Sequence, residues 1–136
     1  MATYDVGMDR TFIANADLSS KQYMFMAAGS IKGECKVNTT VGGSVLGVLQ
    51  NDPKQGEEAR VRVLGFSKVL TDNQGSASTI TLGGWIYSSA SGTATGLAGA
   101  MAVSLFGAGI MYDTTFTSAC GIYVEMFVMP PFRLGW

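Results

Sequence analysis

The chain has 136 residues, a mass of 14.3 kDa and a formal net charge of −1, enough for one domain with a single substantial core. Charged residues make up 14%, against about 25% in an average soluble domain, and Gly, Ser, Thr and Ala take their place, giving a surface that another subunit can cover without desolvating ions. The nine basic residues are scattered, which excludes the concentrated positive field that a nucleic acid requires, and the absence of histidine excludes Ser-His-Asp and Cys-His catalysis.

Residues 1–15, MATYDVGMDRTFIAN, show little periodicity and read as a flexible N-terminal arm. They contain no basic region followed by an apolar run, so no secretory signal and no disulfide-forming compartment is implied. Cys35 and Cys120, far apart and without CxxC spacing, accordingly read as unpaired core thiols. From Ala16 the text ADLSSKQYMFM passes from a polar turn into an apolar run, Tyr23 to Met26, expected as the first buried strand. GECKV follows as a short strand, with Cys35 and Val37 on one face and Glu34 and Lys36 on the other.

Residues 47–70, GVLQNDPKQGEEARVRVLGFSKVL, form an expected hairpin. Asn51, Asp52 and Pro53 open the connection and Gly56 closes it through positive φ. On the return leg Ala59, Val61 and Val63 alternate with Arg60 and Arg62, one face buried and one wet. Arg60, Arg62 and Lys68 can gather with Lys54, but Glu57 and Glu58 lie beside them, which describes a solvated face of paired charges. With nothing reactive on it, such a hairpin is a scaffold or a surface to bind with.

Between Asp72 and Asp113 lie forty residues without a single Asp, Glu, Lys or Arg. The most apolar part, Leu97 to Met111, is shorter than the roughly 20 residues that cross a bilayer as a helix, is rich in glycine and lacks basic flanks, so no membrane span is expected. Gly99, Gly107 and Gly109 would each cost close to about 1 kcal/mol inside a helix, so strands and tight turns fit better. Within the stretch, GGWIYSSASGTAT has the form of strand, turn and strand. In CGIYVEMFVM, Ile122, Val124, Met126 and Val128 share one face and Tyr123, Glu125, Phe127 and Met129 the other. Either both faces are core, as in a sandwich, or one meets a partner. Pro130 and Pro131 are expected to stop this strand and leave a short C-terminal tail, FRLGW, residues 132–136.

No pattern for chemistry emerges. Glu57 and Glu58 are adjacent and point to opposite faces of a strand, VGGSVLGV lacks the Lys-Ser or Lys-Thr of a phosphate loop, and GAGIMY lacks the third glycine of a dinucleotide fingerprint. No aspartate run has calcium-loop spacing. The expectation is a protein that is not an enzyme and holds no cofactor or metal.

ADLSSKQYMFM, the residue 47–70 hairpin, GGWIYSSASGTAT and GIYVEMFVMPP together resemble the small capsid decoration, or cement, proteins of tailed bacteriophages. The resemblance covers most of residues 16–131, its most specific part being the GVLQN turn, the glycine and alanine that follow, and the alternating strand ending in GFSKV. Residues 94–111 and the FRLGW tail depart from it. It implies an all-β domain over residues 16–131, a compact β-barrel or β-sandwich. The assembly it implies is a homotrimer on the outer surface of a phage head, bound to the major capsid protein and bracing neighbouring capsomers, with assembly in the bacterial cytoplasm and neither nucleic acid nor membrane as partner. Another virion component, in a tail tube or at head completion, and a small-ligand-binding barrel are the competing classes. The doubly apolar last strand and the low charge nominate Tyr123, Phe127 and Met129 for a subunit interface, with Trp85. The chain ends nominate Tyr4 and Phe12 in the arm, and Phe132, Arg133 and Trp136 in the tail, for the capsid contact, unless the tail folds back over its own sheet edge.

Overall fold

The computed structural model describes residues 7–71, 79–80, 82–96, 105–112, 116–117 and 122–134, with backbone alone for 79–80, 105–106, 116–117 and 131–134. Every regular element among them is a strand: β1 (Gly7–Ala14), β2 (Phe25–Ala28), β3 (Glu34–Val37), β4 (Gly47–Leu49), β5 (Glu58–Leu70), β6 (Thr79–Ile80), β7 (Trp85–Ser88), β8 (Ala94–Gly96), β9 (Leu105–Met111), β10 (Phe116–Thr117) and β11 (Tyr123–Leu134). The fold is all-β, as expected. It is a compact arrangement with barrel-like closure, built on one nine-stranded sheet in the order β1-β3-β2-β4-β5-β11-β9-β7-β8, with β6 and β10 pairing separately.

Two closures shape that sheet. β1 also pairs with β5, antiparallel from Gly7↔Gly65 to Ile13↔Glu58, which turns β1-β3-β2-β4-β5 into a ring. At the other end a parallel bridge joins Thr71, just past β5, to Ala94 of β8, so that β5-β11-β9-β7-β8 also returns on itself. The thirteen-residue β5 is therefore the common wall of two circuits. Each closure pairs backbone groups that an open edge would leave to other chains.

Each circuit has its own core. Ala14, Leu18, Met26, Cys35, Leu49, Ala59 and Val61 cluster in the first. The second contains Val69, Ile86, Ala94, Ala108, Met111, Val124, Met126 and Val128, together with Phe25, Val45 and Val48. Because successive side chains of a strand point to opposite faces, β2 sends Phe25 to one core and Met26 to the other, and β4 divides Val48 and Leu49 the same way. Hence every residue of β4 is buried. Asn38 ties the circuits further, its Nδ2 donating to Thr40 O at 2.7 Å, Ser88 Oγ at 2.8 Å and Ser89 O at 3.3 Å.

The residue 47–70 hairpin forms, with Val48↔Arg62 and Leu49↔Val61 in register and Gly56 at φ 83° in the connection. Strand, turn and strand also appear as β7 and β8 around residues 89–93. In β11, Val124, Met126 and Val128 are buried, while Tyr123 is exposed and Glu125, Phe127 and Met129 are half-buried, the two faces the alternation predicts.

Four readings change. Gly7–Ala14, expected within the arm, is strand β1; its side chains are mostly exposed, so it lacks the apolar alternation that marks a strand and is held by its ladder on β5. The run Tyr23 to Met26 is not a strand from its start, because Tyr23 sits at φ 65° and the strand begins at Phe25. Its backbone donates to Leu49 O at 2.8 Å and accepts from Leu70 N at 2.9 Å, bonds that hold a conformation uncommon for a bulky residue. Pro130 and Pro131 do not stop β11, which runs on to Leu134. The register steps from Val128↔Gly109 to Phe132↔Gly107, so residues 129–131 bulge opposite Ala108, where ladder donors are not required. Finally, Arg62 is buried at 8% exposure rather than on a wet face. Its Nε donates to Asp9 Oδ1 at 2.7 Å, Nη2 to Asp9 Oδ2 at 3.2 Å and Nη1 to Phe66 O at 2.6 Å, a forked pairing that fixes β1 to β5.

Candidate interaction surface

The outward side of β5, β11, β9 and β7 carries a line of side chains set by register. Phe66 lies opposite Phe127, Phe127 opposite Ile110, and Ile110 opposite Trp85, one residue from each of four adjacent strands. Alternation places them away from the core that Val69, Met126 and Met111 fill. Phe66 packs edge-on against Phe127, ring centroids 5.2 Å apart, and against Tyr112 at 5.1 Å. Phe66, Phe127 and Ile110 are half-buried, whereas Trp85 is 39% and Tyr112 60% exposed. Beside this apolar row Lys68 stands opposite Glu125.

Beneath this row, on the core side, Gly109 lets β9 lie close against β11. A Cβ there would run into Phe127 O and Met126 Cε, so only glycine lets β9 approach β11 this closely.

Of the residues nominated for a subunit interface, Phe127 and Trp85 fall in the row. Met129 is half-buried at the β11 bulge, and Tyr123 lies apart, its ring edge-on to Tyr23 at 5.5 Å. Phe66, Ile110 and Tyr112 complete the face and were not nominated. The i, i+2 spacing of Phe66 with Lys68, and of Ile110 with Tyr112, marks each pair as sharing a side. Which strands stand next to each other is a matter of topology that this spacing does not carry.

Of the nominated capsid contacts, Phe12 alone has a described side chain. Phe12 is half-buried and packs on the first core, so at least part of its ring serves the fold. Phe132 and Arg133 lie on β11 opposite Gly107 and Phe106, with side chains outside the described residues, as are Tyr4 and Trp136 altogether. Cys35 is a buried free thiol whose pKa desolvation pushes up to about 11; Cys120 is outside the described residues. Among the described residues no group of three or more His, Cys, Asp and Glu could hold a metal ion, and no helix is long and apolar enough to cross a membrane.

No protein-family model matches the chain, and no curated protein sequence does. A solved structure does resemble it: the head fiber gp8.5 N base in bacteriophage phi29, with a TM-score of 0.59 and 16% sequence identity over 95% of this chain and 98% of that one. At that identity the likeness is one of fold, and it extends over nearly the whole of both chains.

Proposed function

We propose that the chain is a structural protein of a phage virion, one that binds the outer surface of the head as a homotrimer and stabilises contacts between capsomers. The observation that carries this reading is the nearly end-to-end likeness to a phage head fiber base, which joins the resemblance of the residue 47–70 hairpin and the late strand to capsid decoration proteins. The doubly closed sheet suits a brace, since closure leaves few open edges and resists deformation. The partner is the major capsid protein, and assembly takes place in the host cytoplasm. The mechanism is linkage: a ligand that binds assembled shell but not dispersed subunits stabilises the shell by mass action. Three weak contacts on one trimer raise avidity by on the order of 10² to 10⁴ when the shell presents matching sites.

The test is to add the purified protein to heads assembled without it, then image them by electron cryomicroscopy and heat them. Three-lobed density on the outside of the head at local three-fold positions, with heads opening at a higher temperature, is the expected result. Rings or tubes of another symmetry, or density confined to the tail, would replace this reading with that of a tail or connector component.

A further inference from the structure

The first circuit closes over only part of β1. Among the described residues β1 meets β3 only at Ile13 and Ala14, because β3 begins at Glu34 and the chain before it turns through the exposed residues 30–33. Residues 7–12 run on past that contact, laddered to β5 on one side. Backbone groups alternate in direction along a strand. Ala14 N donates toward β5, to Glu57 O at 2.9 Å, whereas Ile13 N and Asn15 N donate the other way, to Gly33 O at 2.8 Å and Cys35 O at 2.9 Å. The same alternation aims the N–H and C=O of Arg10 and Phe12 at β5 and those of Asp9 and Thr11 outward, where no described residue takes them. Gly7, Met8, Arg10 and Thr11 are exposed, so this edge is open to water. We propose that it takes up an extended, acidic segment of a partner protein as an added strand.

Backbone geometry sets the form of the occupant and charge sets its composition. The outward groups of Asp9 and Thr11 stand two residues apart, the repeat at which a neighbouring strand presents its own donors and acceptors. Arg10 lies between them, and Lys32 stands in the turn that leads into β3; neither has a hydrogen bond or ion pair with another described residue. The acids nearby are engaged or turned aside. Asp9 is paired with Arg62 and Arg60, Glu34 accepts from Asn15 Nδ2 at 2.9 Å, and Glu58 lies across Ile13 on the β5 side. The charge left at the edge is positive. A basic segment would be repelled, and two copies of β1 joined antiparallel through Asp9 and Thr11 would set Arg10 against Arg10. On the face opposite Arg10, Ile13 is 41% exposed and suits an apolar neighbour, so acid and apolar residues alternate in the occupant.

Amide hydrogen exchange followed residue by residue by NMR tests this on the full chain, with the synthetic peptide Thr-Val-Glu-Val-Glu-Val-Thr and a counterpart carrying Lys for each Glu. In the dilute free protein the amides of Asp9 and Thr11 should exchange fast and those of Arg10 and Phe12 slowly. The acidic peptide should slow Asp9 and Thr11 by about tenfold, and the basic one should not. Arg10→Glu should reverse that preference. Thr11→Pro removes an outward N–H and no bond to β5, so it should keep the fold and abolish the protection of Asp9 by the peptide. Slow exchange at Asp9 and Thr11 in the dilute free chain would show the edge covered from within, and slowing with protein concentration alone would place a second copy there. Equal slowing by both peptides would dismiss the acidic partner, and slowing by neither would dismiss strand addition. Each of these four results overturns the inference, and none bears on the virion reading.

Discussion

Replacing Asp9 by alanine removes the carboxylate that Nε and Nη2 of the buried Arg62 guanidinium both reach. The side chains of Arg62 and Asp9 are 10% and 22% exposed, so the pair is mostly but not wholly withdrawn from water. Breaking a fully buried ion pair costs about 3–5 kcal/mol because a charge is left uncompensated. Here the partial exposure of Asp9, and the bond from Arg62 Nη1 to Phe66 O that survives the change, bring the expected loss down to about 2–3 kcal/mol. With an unfolding entropy of roughly 2.1 cal/mol/K per residue, a chain of this length should lose about 7–10 °C in melting temperature. Arg60 reaches the same carboxylate at 3.5 Å from a side chain 60% exposed, so Arg60→Ala should cost less than about 0.5 kcal/mol. The double change Asp9→Ala with Arg62→Met should recover most of the loss, since it removes the buried guanidinium together with the carboxylate it pairs with. Urea unfolding monitored by circular dichroism measures all three. If Asp9→Ala lies within 0.5 kcal/mol of wild type, the pair does not fasten β1 to β5 and the argument from burial is wrong.

Other substitutions probe close packing and the buried thiol. Gly109→Ala should cost about 3 kcal/mol, because β9 must move away from Phe127 O to admit the methyl group. Gly33→Ala, at φ 90° with open space around it, should cost only about 1 kcal/mol of backbone strain, and thermal melts of the two compared would show whether contact or conformation dominates. With its pKa raised from 9.0 to about 11, Cys35 stays protonated in the fold while an unfolded chain ionises it near 9. Its contribution to stability is therefore intact below pH 9 and is lost as pH rises toward 11. Iodoacetamide at pH 8 followed by peptide mapping should leave Cys35 unmodified in the native protein and label it rapidly in urea; fast native labelling would refute the burial.

Local pattern exposed much of this fold. Period-two alternation found β11 and the first part of β5, and turn residues found the hairpin and the β7–β8 connection, because in each case the signal is local. β1 was missed since its burial is slight and its stability comes from backbone pairing with residues some fifty positions away. Arg62 was misread for a related reason: alternation sets it on the side opposite Val61, but β1 arrives there with Asp9 and covers it. The candidate face was half legible. Phe127 and Trp85 stood out as large apolar residues, whereas Phe66 and Ile110 join them only through the order β5-β11-β9-β7, a long-range property.

That same long-range order predicts how the molecule unfolds. Two cores in one small chain could melt separately, as two weakly coupled domains do. Here they share their walls. β5 gives Ala59 and Val61 to the first core and Val69 to the second, and single steps along β2 and β4 cross from one core to the other. Opening the first circuit would strip Met26 and Leu49 of their neighbours and, by moving the same two strands, displace Phe25 and Val48 from the second. Neither core can be lost alone without exposing large apolar side chains of the other, at about 1.5–3 kcal/mol for each. Unfolding should therefore be a single cooperative transition. Leu49→Ala and Val48→Ala, one in each core, should both shift it downward without splitting it, Leu49→Ala by about 2–5 kcal/mol. Calorimetry gives the decisive comparison, because a van't Hoff enthalpy equal to the calorimetric one marks a two-state process. A second transition in either variant, or a van't Hoff enthalpy well below the calorimetric value, would show that β5, β2 and β4 do not couple the two cores.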